Sequence, residues 1–330
     1  MPYYKLCFGA IPLLALAIPQ LSANVNIKEF PPHRTVLNPA YYNNEHFLED
    51  ISLVQCTLEN KQQSLCFQLK VKSNAIEDGP YCPETVNDVG GIYPYDGKTN
   101  PGLRVLNKDL FEDMEKDGYD IIDDKGNIRV AIFDPSQPDN RDPELAYCIE
   151  VEPDYRLKLT YLIPASPRFA EEPTPMATAA NIVGLSLVGV PINGLPPSVT
   201  DSFPGTSPGN LPALDPCGGH INEGFYHSHM FPETINKKLH KNGITEVQCT
   251  NIYQKEPTAL IGYAMDGFPI YASLELPGSP ARDLDKCNGH FGPTLHYPWG
   301  EYHYHAIHDE NVDIPRCLKG VLAKDQLIVE

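Results

Sequence analysis

The sequence predicts a mainly β protein, a β-rich α+β chain stabilised by disulfides. An N-terminal β-rich accessory region precedes a C-terminal region built from two related half-repeats. Three observations carry this. Thirty-three prolines in 330 residues interrupt long helices. Short runs of β-branched and aromatic residues recur between turn signals. Nine cysteines become an even eight once Cys7 is set aside with an apolar leader. A hydrophobic content of 42% supplies a real core and excludes wholesale disorder.

The leader comes first. Lys5 gives a thin positive start, Leu6 to Ile18 is apolar, and Leu21-Ser22-Ala23 offers a small residue for cleavage. Residues 1–23 therefore read as a secretory signal peptide cut near Ala23, too short for a stable membrane anchor. The mature chain is expected to be secreted or periplasmic. Loss of Lys5 moves the formal charge from −18 to −19. Such an acidic surface repels phosphate backbones, so nucleic acid is excluded as a partner. The acidity itself reads first as a solubility device.

Residues 24–165 form the expected accessory domain, opening on an extended lead-in to residue 48. Ile51 to Leu58 and Ser64 to Lys72 flank a polar Glu59–Gln63 turn and read as a hairpin. Folding it about Lys61 sets Cys56 opposite Cys66, within reach of a cross-strand bridge. Cys82 with Cys148 follows by elimination. A short helix is expected from Lys108 to Asp117, capped by Asn107 and stopped by Gly118. Ile128 to Asp134, Leu145 to Val151 and Tyr155 to Ile163 are strand candidates. Asp117, Asp120, Asp123 and Asp124 lack the spacing of a calcium loop and read as a solvated turn.

Prolines 164, 167, 173 and 175, with Glu171 and Glu172, mark residues 166–175 as a linker. A second domain is expected over 176–330. Nine of the eleven histidines lie beyond residue 219. Here the chain repeats itself, in half-repeats at about 182–250 and 260–320. Gly184 to Ile192 aligns without gaps on Gly262 to Ile270. Asp215-Pro-Cys217-Gly-Gly219-His220 recurs as Asp285-Lys-Cys287-Asn-Gly289-His290. Tyr226-His227-Ser228-His229 recurs as Tyr302-His303-Tyr304-His305, and each half ends on a cysteine, Cys249 and Cys317. Four features in one order imply internal duplication. The symmetry suggests pairing Cys217 with Cys249 and Cys287 with Cys317, with a swap between halves as the alternative.

Residues i and i+2 of a strand share a face. His227 and His229 therefore point together, as do His303 and His305, with Tyr302 and Tyr304 on the opposite face. His220 and His290, positioned by the cysteine anchor, offer a third imidazole to each pair. Three histidines with an open fourth position suit copper or zinc. The competing reading is a polar core of strand histidines satisfied by carbonyls or carboxylates. His33, His46, His240, His296 and His308 carry no such pattern, and His240 falls in a short lysine-flanked helix expected to be exposed.

The run Gly262-Tyr-Ala-Met-Asp-Gly-Phe-Pro-Ile-Tyr271, the Cys287-Asn-Gly-His290 turn and Tyr302-His303-Tyr304-His305 resemble the YHYH domain family, over roughly residues 175–322. Ser228 departs from the motif in the first half. The histidines remain, so the change falls on the packing face. The resemblance implies an exported protein with a YHYH domain and carries no reaction with it.

Two functions follow from these residues. One is transition-metal binding, extending to metal-dependent activity with Asp266 or Glu301 as proton acceptor. Val188 and Phe225 replace these acids in the first half. The other is a non-catalytic secreted binding or matrix module for carbohydrate or protein. No Walker loop, Gly-x-Gly-x-x-Gly before a helix or His-Glu-x-x-His is present, so nucleotide binding and that zinc-protease pattern lack support. The residues name no particular small-molecule or polymer partner and no oligomeric state.

Overall fold

The computed structural model describes residues 36–76, 79–133, 140–201, 208–251, 256, 258–307 and 310–330. The expected signal peptide with Cys7 and Ala23, and also His33 and His308, lie outside the described residues. What is described is mainly β, with two α-helices, Lys108–Lys116 and Pro232–Lys241. No helix among the described residues is long and apolar enough to cross a membrane.

The duplicated residues form an eight-stranded sheet. Its order is Gly219–Asn222, Phe225–Ser228, Pro191–Asn193, Ile182–Ser186, Leu260–Ala264, Pro269–Tyr271, Glu301–His305 and Gly289–Gly292. The two halves meet at an antiparallel seam where Ser186 pairs with Gly262, Leu185 with Tyr263 and Gly184 with Ala264. Exchanging the halves maps these pairs onto one another, so a pseudo-twofold axis passes through the Leu185–Tyr263 pair. The repeated glycines are required there. A Cβ on Gly184 would meet the Tyr263 carbonyl oxygen at 2.5 Å, and one on Gly262 the Leu185 carbonyl oxygen at 2.2 Å.

In each half the histidine strand runs parallel to an inner strand and is closed at the edge by the Gly-His strand. Ile270 pairs with Tyr304 and His290 with His303, as Ile192 pairs with Ser228 and His220 with His227. Both faces of Tyr302–His305 are buried, tyrosines on one side and histidines on the other. Alternation thus sorts apolar packing from polar chemistry without exposing either.

A second sheet joins Ser52–Thr57, Gln63–Lys72, Lys158–Pro164 and the C-terminal Leu327–Val329. The expected hairpin forms, but its register is centred one residue earlier: Cys56 faces Ser64 and Val54 faces Cys66. Lys61 adopts the left-handed conformation that closes the tight turn, with φ of 69°. The bridge from Cys56 to Cys66 is therefore diagonal on one face, at a Cα separation of 5.8 Å. The other bridges join Cys82 to Cys148, Cys217 to Cys249 and Cys287 to Cys317, the pairs reached by elimination and by repeat symmetry. The first helix starts where Asn107 accepts a hydrogen bond from the Leu110 amide, and Gly118 follows its end with positive φ.

The expected linker requires correction. Phe169–Pro175 is a strand paired with Cys317–Gly320. Its prolines are accommodated because the ladder is only two strands wide and leaves an edge open. Nor does the core divide at residues 166–175. Phe67, Leu69, Tyr161 and Ile163 pack in one cluster with Leu185, Tyr263, Tyr304 and Leu318. The chain from Arg34 to Glu330 is one compact unit.

Candidate metal centres

The Asp-x-Cys-x-Gly-His motif is a turn that aims a histidine. Asp215 accepts hydrogen bonds from the Cys217 and Gly219 amides at 2.9 and 3.0 Å, and its other oxygen accepts from the Tyr226 hydroxyl at 2.9 Å. Asp285 does the same with Cys287, Gly289 and Tyr302, at 2.8, 3.3 and 3.0 Å. The motif glycine makes room for the tyrosine. A Cβ would lie 2.2 Å from the Tyr226 oxygen at Gly219 and 2.1 Å from the Tyr302 oxygen at Gly289. Tyrosine on one face thus locks the strand that presents histidine on the other.

The six predicted histidines gather into two clusters. Ring centroids of His220, His227 and His229 are 4.9, 5.1 and 4.8 Å apart, taken as 220–227, 220–229 and 227–229. The corresponding separations among His290, His303 and His305 are 4.7, 5.2 and 4.9 Å. The triangles are nearly the same. In the first, His229 Nε2 lies 3.1 Å from His227 Nε2 and 3.2 Å from His220 Nε2. In the second, His290 Nε2 lies 3.1 Å from His303 Nε2.

The backbone decides which nitrogens are free. His229 Nδ1 donates to the Gly194 carbonyl at 2.6 Å and His305 Nδ1 to that of Ala272 at 2.8 Å, positions that correspond between the halves. His303 Nδ1 donates to the Glu301 carbonyl at 2.9 Å. A carbonyl oxygen only accepts, so each Nδ1 carries the proton and each neutral ring keeps its lone pair on Nε2. His305 Nε2 is buried with no hydrogen-bond partner. Contacts of this kind fix the ring orientation and tautomer that a metal-binding imidazole needs.

Burial keeps five of these rings neutral. It lowers the pKa of His229 and His303 to about 4 and of His305 to about 3, and drives His220 and His227 well below the usual value; neighbouring rings add to the effect on His220, His227, His303 and His305. Neutral imidazole is the ligating form. Four nitrogens or oxygens about 2.0–2.1 Å from a tetrahedral ion lie about 3.3 Å from one another, close to the spacings found here.

Glu275 was not anticipated. Its Oε1 lies 3.0 Å from His290 Nε2, and Glu275, His290, His303 and His305 bring one ligand atom each within 4.8 Å of one another. His220, His227 and His229 meet the same limit without a carboxylate. The missing signal was symmetry itself. Counting on from Gly194 and Ala272, the place of Glu275 is taken in the first half by Pro197.

The two predicted acids have other contacts. Asp266 lies on the tyrosine face, where it accepts from the Tyr304 hydroxyl at 2.6 Å, the Gly320 amide at 2.8 Å and the Phe268 amide at 3.1 Å. Burial raises its pKa to about 6. It braces a tyrosine and does not face the imidazoles. The first half lacks both partners together, with Val188 for Asp266 and Ser228 for Tyr304. Glu301 serves through its backbone carbonyl, while its carboxylate accepts from the Tyr302 amide at 3.0 Å. Of the remaining histidines, His240 is exposed and His296 Nδ1 lies 2.9 Å from the Tyr271 hydroxyl.

Neither a curated protein nor a solved structure matches the chain. The family model described as YHYH protein matches twice, over residues 160–280 and 275–320. The first match begins inside the Lys158–Pro164 strand, ahead of the expected boundary at 176. The first match takes in six of the eight strands of the sheet and the second the other two, Gly289–Gly292 and Glu301–His305. The chain carries a YHYH domain in its C-terminal part, and the tyrosine and histidine faces of that motif are the packing and presenting sides of one strand.

Proposed function

We propose that this is an exported protein whose YHYH domain binds two transition-metal ions, copper or zinc, one in each histidine cluster. The observation that carries the reading is the convergence of Nε2 atoms. Carbonyls hold the Nδ1 protons of His229, His303 and His305, and Nε2 atoms of adjacent rings approach to 3.1–3.2 Å. Where both rings of such a pair keep their proton on Nδ1, the facing lone pairs repel unless a cation lies between them, and burial disfavours an added proton. A cation held by three imidazoles removes the repulsion.

Export is supported by four disulfides and by the apolar stretch at residues 6–18, which belongs to the sequence outside the described residues. Protein prepared without an affinity tag and reconstituted with zinc or with copper is expected to hold two ions per chain. The paired change His303→Gln and His305→Gln should leave one. Retention of no ion after exposure to either metal contradicts the reading.

A further inference from the structure

The two clusters share a triangle of histidines and differ in three ways that all concern access. The second contains a carboxylate, Glu275, where the first has Pro197. The second is open at one side: the side chains of His290 and Glu275 are 15% and 29% exposed while His303 and His305 are buried, whereas all of His220, His227 and His229 are buried. The third difference sits on the edge strand two residues beyond the first histidine of each cluster, hence on the same face. It is Asn222 in the first half and Gly292 in the second. A Cβ at Gly292 would lie 3.7 Å from His303 Cε1 and 3.9 Å from His290 Nε2, so this glycine leaves the approach to the ring nitrogens unfilled. A cleft lined by Ala177, Leu195, Pro197 and Arg316 lies beyond Gly194, but no histidine of the first cluster lines it.

Charge points the same way. A divalent ion among three neutral imidazoles in a sealed pocket keeps its full charge. In the second cluster Glu275 neutralises half of it, and one further anion completes the balance.

Resting on the metal-binding reading above, the geometry points to a division of labour: the second-half centre (Glu275, His290, His303, His305) is the exchangeable one. It takes a small anionic ligand on its ion through the gap at Gly292, while the first-half centre is closed. Anions that donate through oxygen or nitrogen are the ligand class, because they bind the ion and neutralise its remaining charge together.

The test uses the full chain loaded with cobalt(II), whose visible spectrum reports its ligands, and azide as the probe. Azide is expected to perturb the spectrum of about half of the bound cobalt. The perturbation should survive His227→Gln with His229→Gln and vanish in His303→Gln with His305→Gln. Gly292→Asn, which places the first-half residue in the gap without backbone conflict, should weaken azide by about tenfold or more with cobalt content unchanged. Two bound cobalt ions that respond to azide equally, or not at all, overturn the division of labour and leave metal binding intact. An unchanged azide affinity in Gly292→Asn overturns the gap. Failure to hold cobalt, zinc or copper in either cluster overturns both the inference and the reading beneath it.

Discussion

A buried imidazole whose Nδ1 proton is given to a carbonyl has one nitrogen left to satisfy. In this chain those nitrogens face each other, and that fact shapes the pH response. In the unfolded chain the histidines titrate near ~6.5. In the fold, burial holds His229 and His303 at about 4 and His305 at about 3. Between these limits the unfolded state binds protons that the native state refuses. The contribution is therefore full above pH ~6.5 and is lost as pH falls toward about 4. Chelator-treated protein should show a lower denaturant midpoint at pH 5 than at pH 7, and the His303→Gln, His305→Gln variant should show less of this slope. An equal slope in both proteins contradicts the assignment. Asp266 behaves differently, because it answers to Tyr304. Tyr304→Phe leaves a fully buried carboxylate oxygen short of its hydroxyl donor and should cost about 1–3 kcal/mol in a denaturant melt, with metal content unchanged. The six histidine positions of the two clusters were legible because strand alternation, the Gly-His turn and duplication marked them. Glu275 was not, because it belongs to one half alone and is brought in by folding. Asp266 misled because proximity to the motif in sequence says nothing about which face a side chain shares.

At the scale of elements, the motif turn and the histidine strand act as one device. Asp285 holds the Tyr302 hydroxyl, Gly289 gives its ring room, and the disulfide at Cys287 ties the turn to Cys317. Gly289→Ala drives a Cβ into the Tyr302 hydroxyl and should displace His290 with it. The expected result is loss of one ion, from the second centre, while the first keeps its own; metal analysis of the variant checks this. Retention of both ions would show that the turn does not position the ligand. Local signals predicted such elements well. Asn107 and Gly118 bracketed the first helix because capping acts within a turn of the chain. The hairpin at 52–72 was placed correctly and its register was not. The left-handed residue that closes its turn is Lys61, which carries no glycine signal.

For the whole molecule, duplication explains more than linear division does. The pseudo-twofold axis at Leu185 and Tyr263 was readable as an aligned repeat, since both copies kept the glycines that the seam requires. The core shared across residues 166–175 was not readable. A stretch with four prolines resembles a linker, yet on an edge strand proline costs no ladder bond. The C-terminal Leu327–Val329 returns to pair with Lys158–Pro164. A fragment of residues 176–330 loses Phe67, Leu69, Tyr161 and Ile163 from the shared cluster. Each such side chain is worth about 1.5–3 kcal/mol, against a typical domain stability of about 5–15 kcal/mol. That fragment is expected to lack cooperative thermal unfolding, and a sharp transition matching the full chain would contradict the shared core. The central claim remains the pair of ions. Crystals of the zinc-reconstituted protein, measured at the zinc absorption edge, should show two anomalous peaks per chain, each about 2.0–2.1 Å from the Nε2 atoms of one cluster. Peaks confined to surface carboxylates, or none at either cluster, would contradict it.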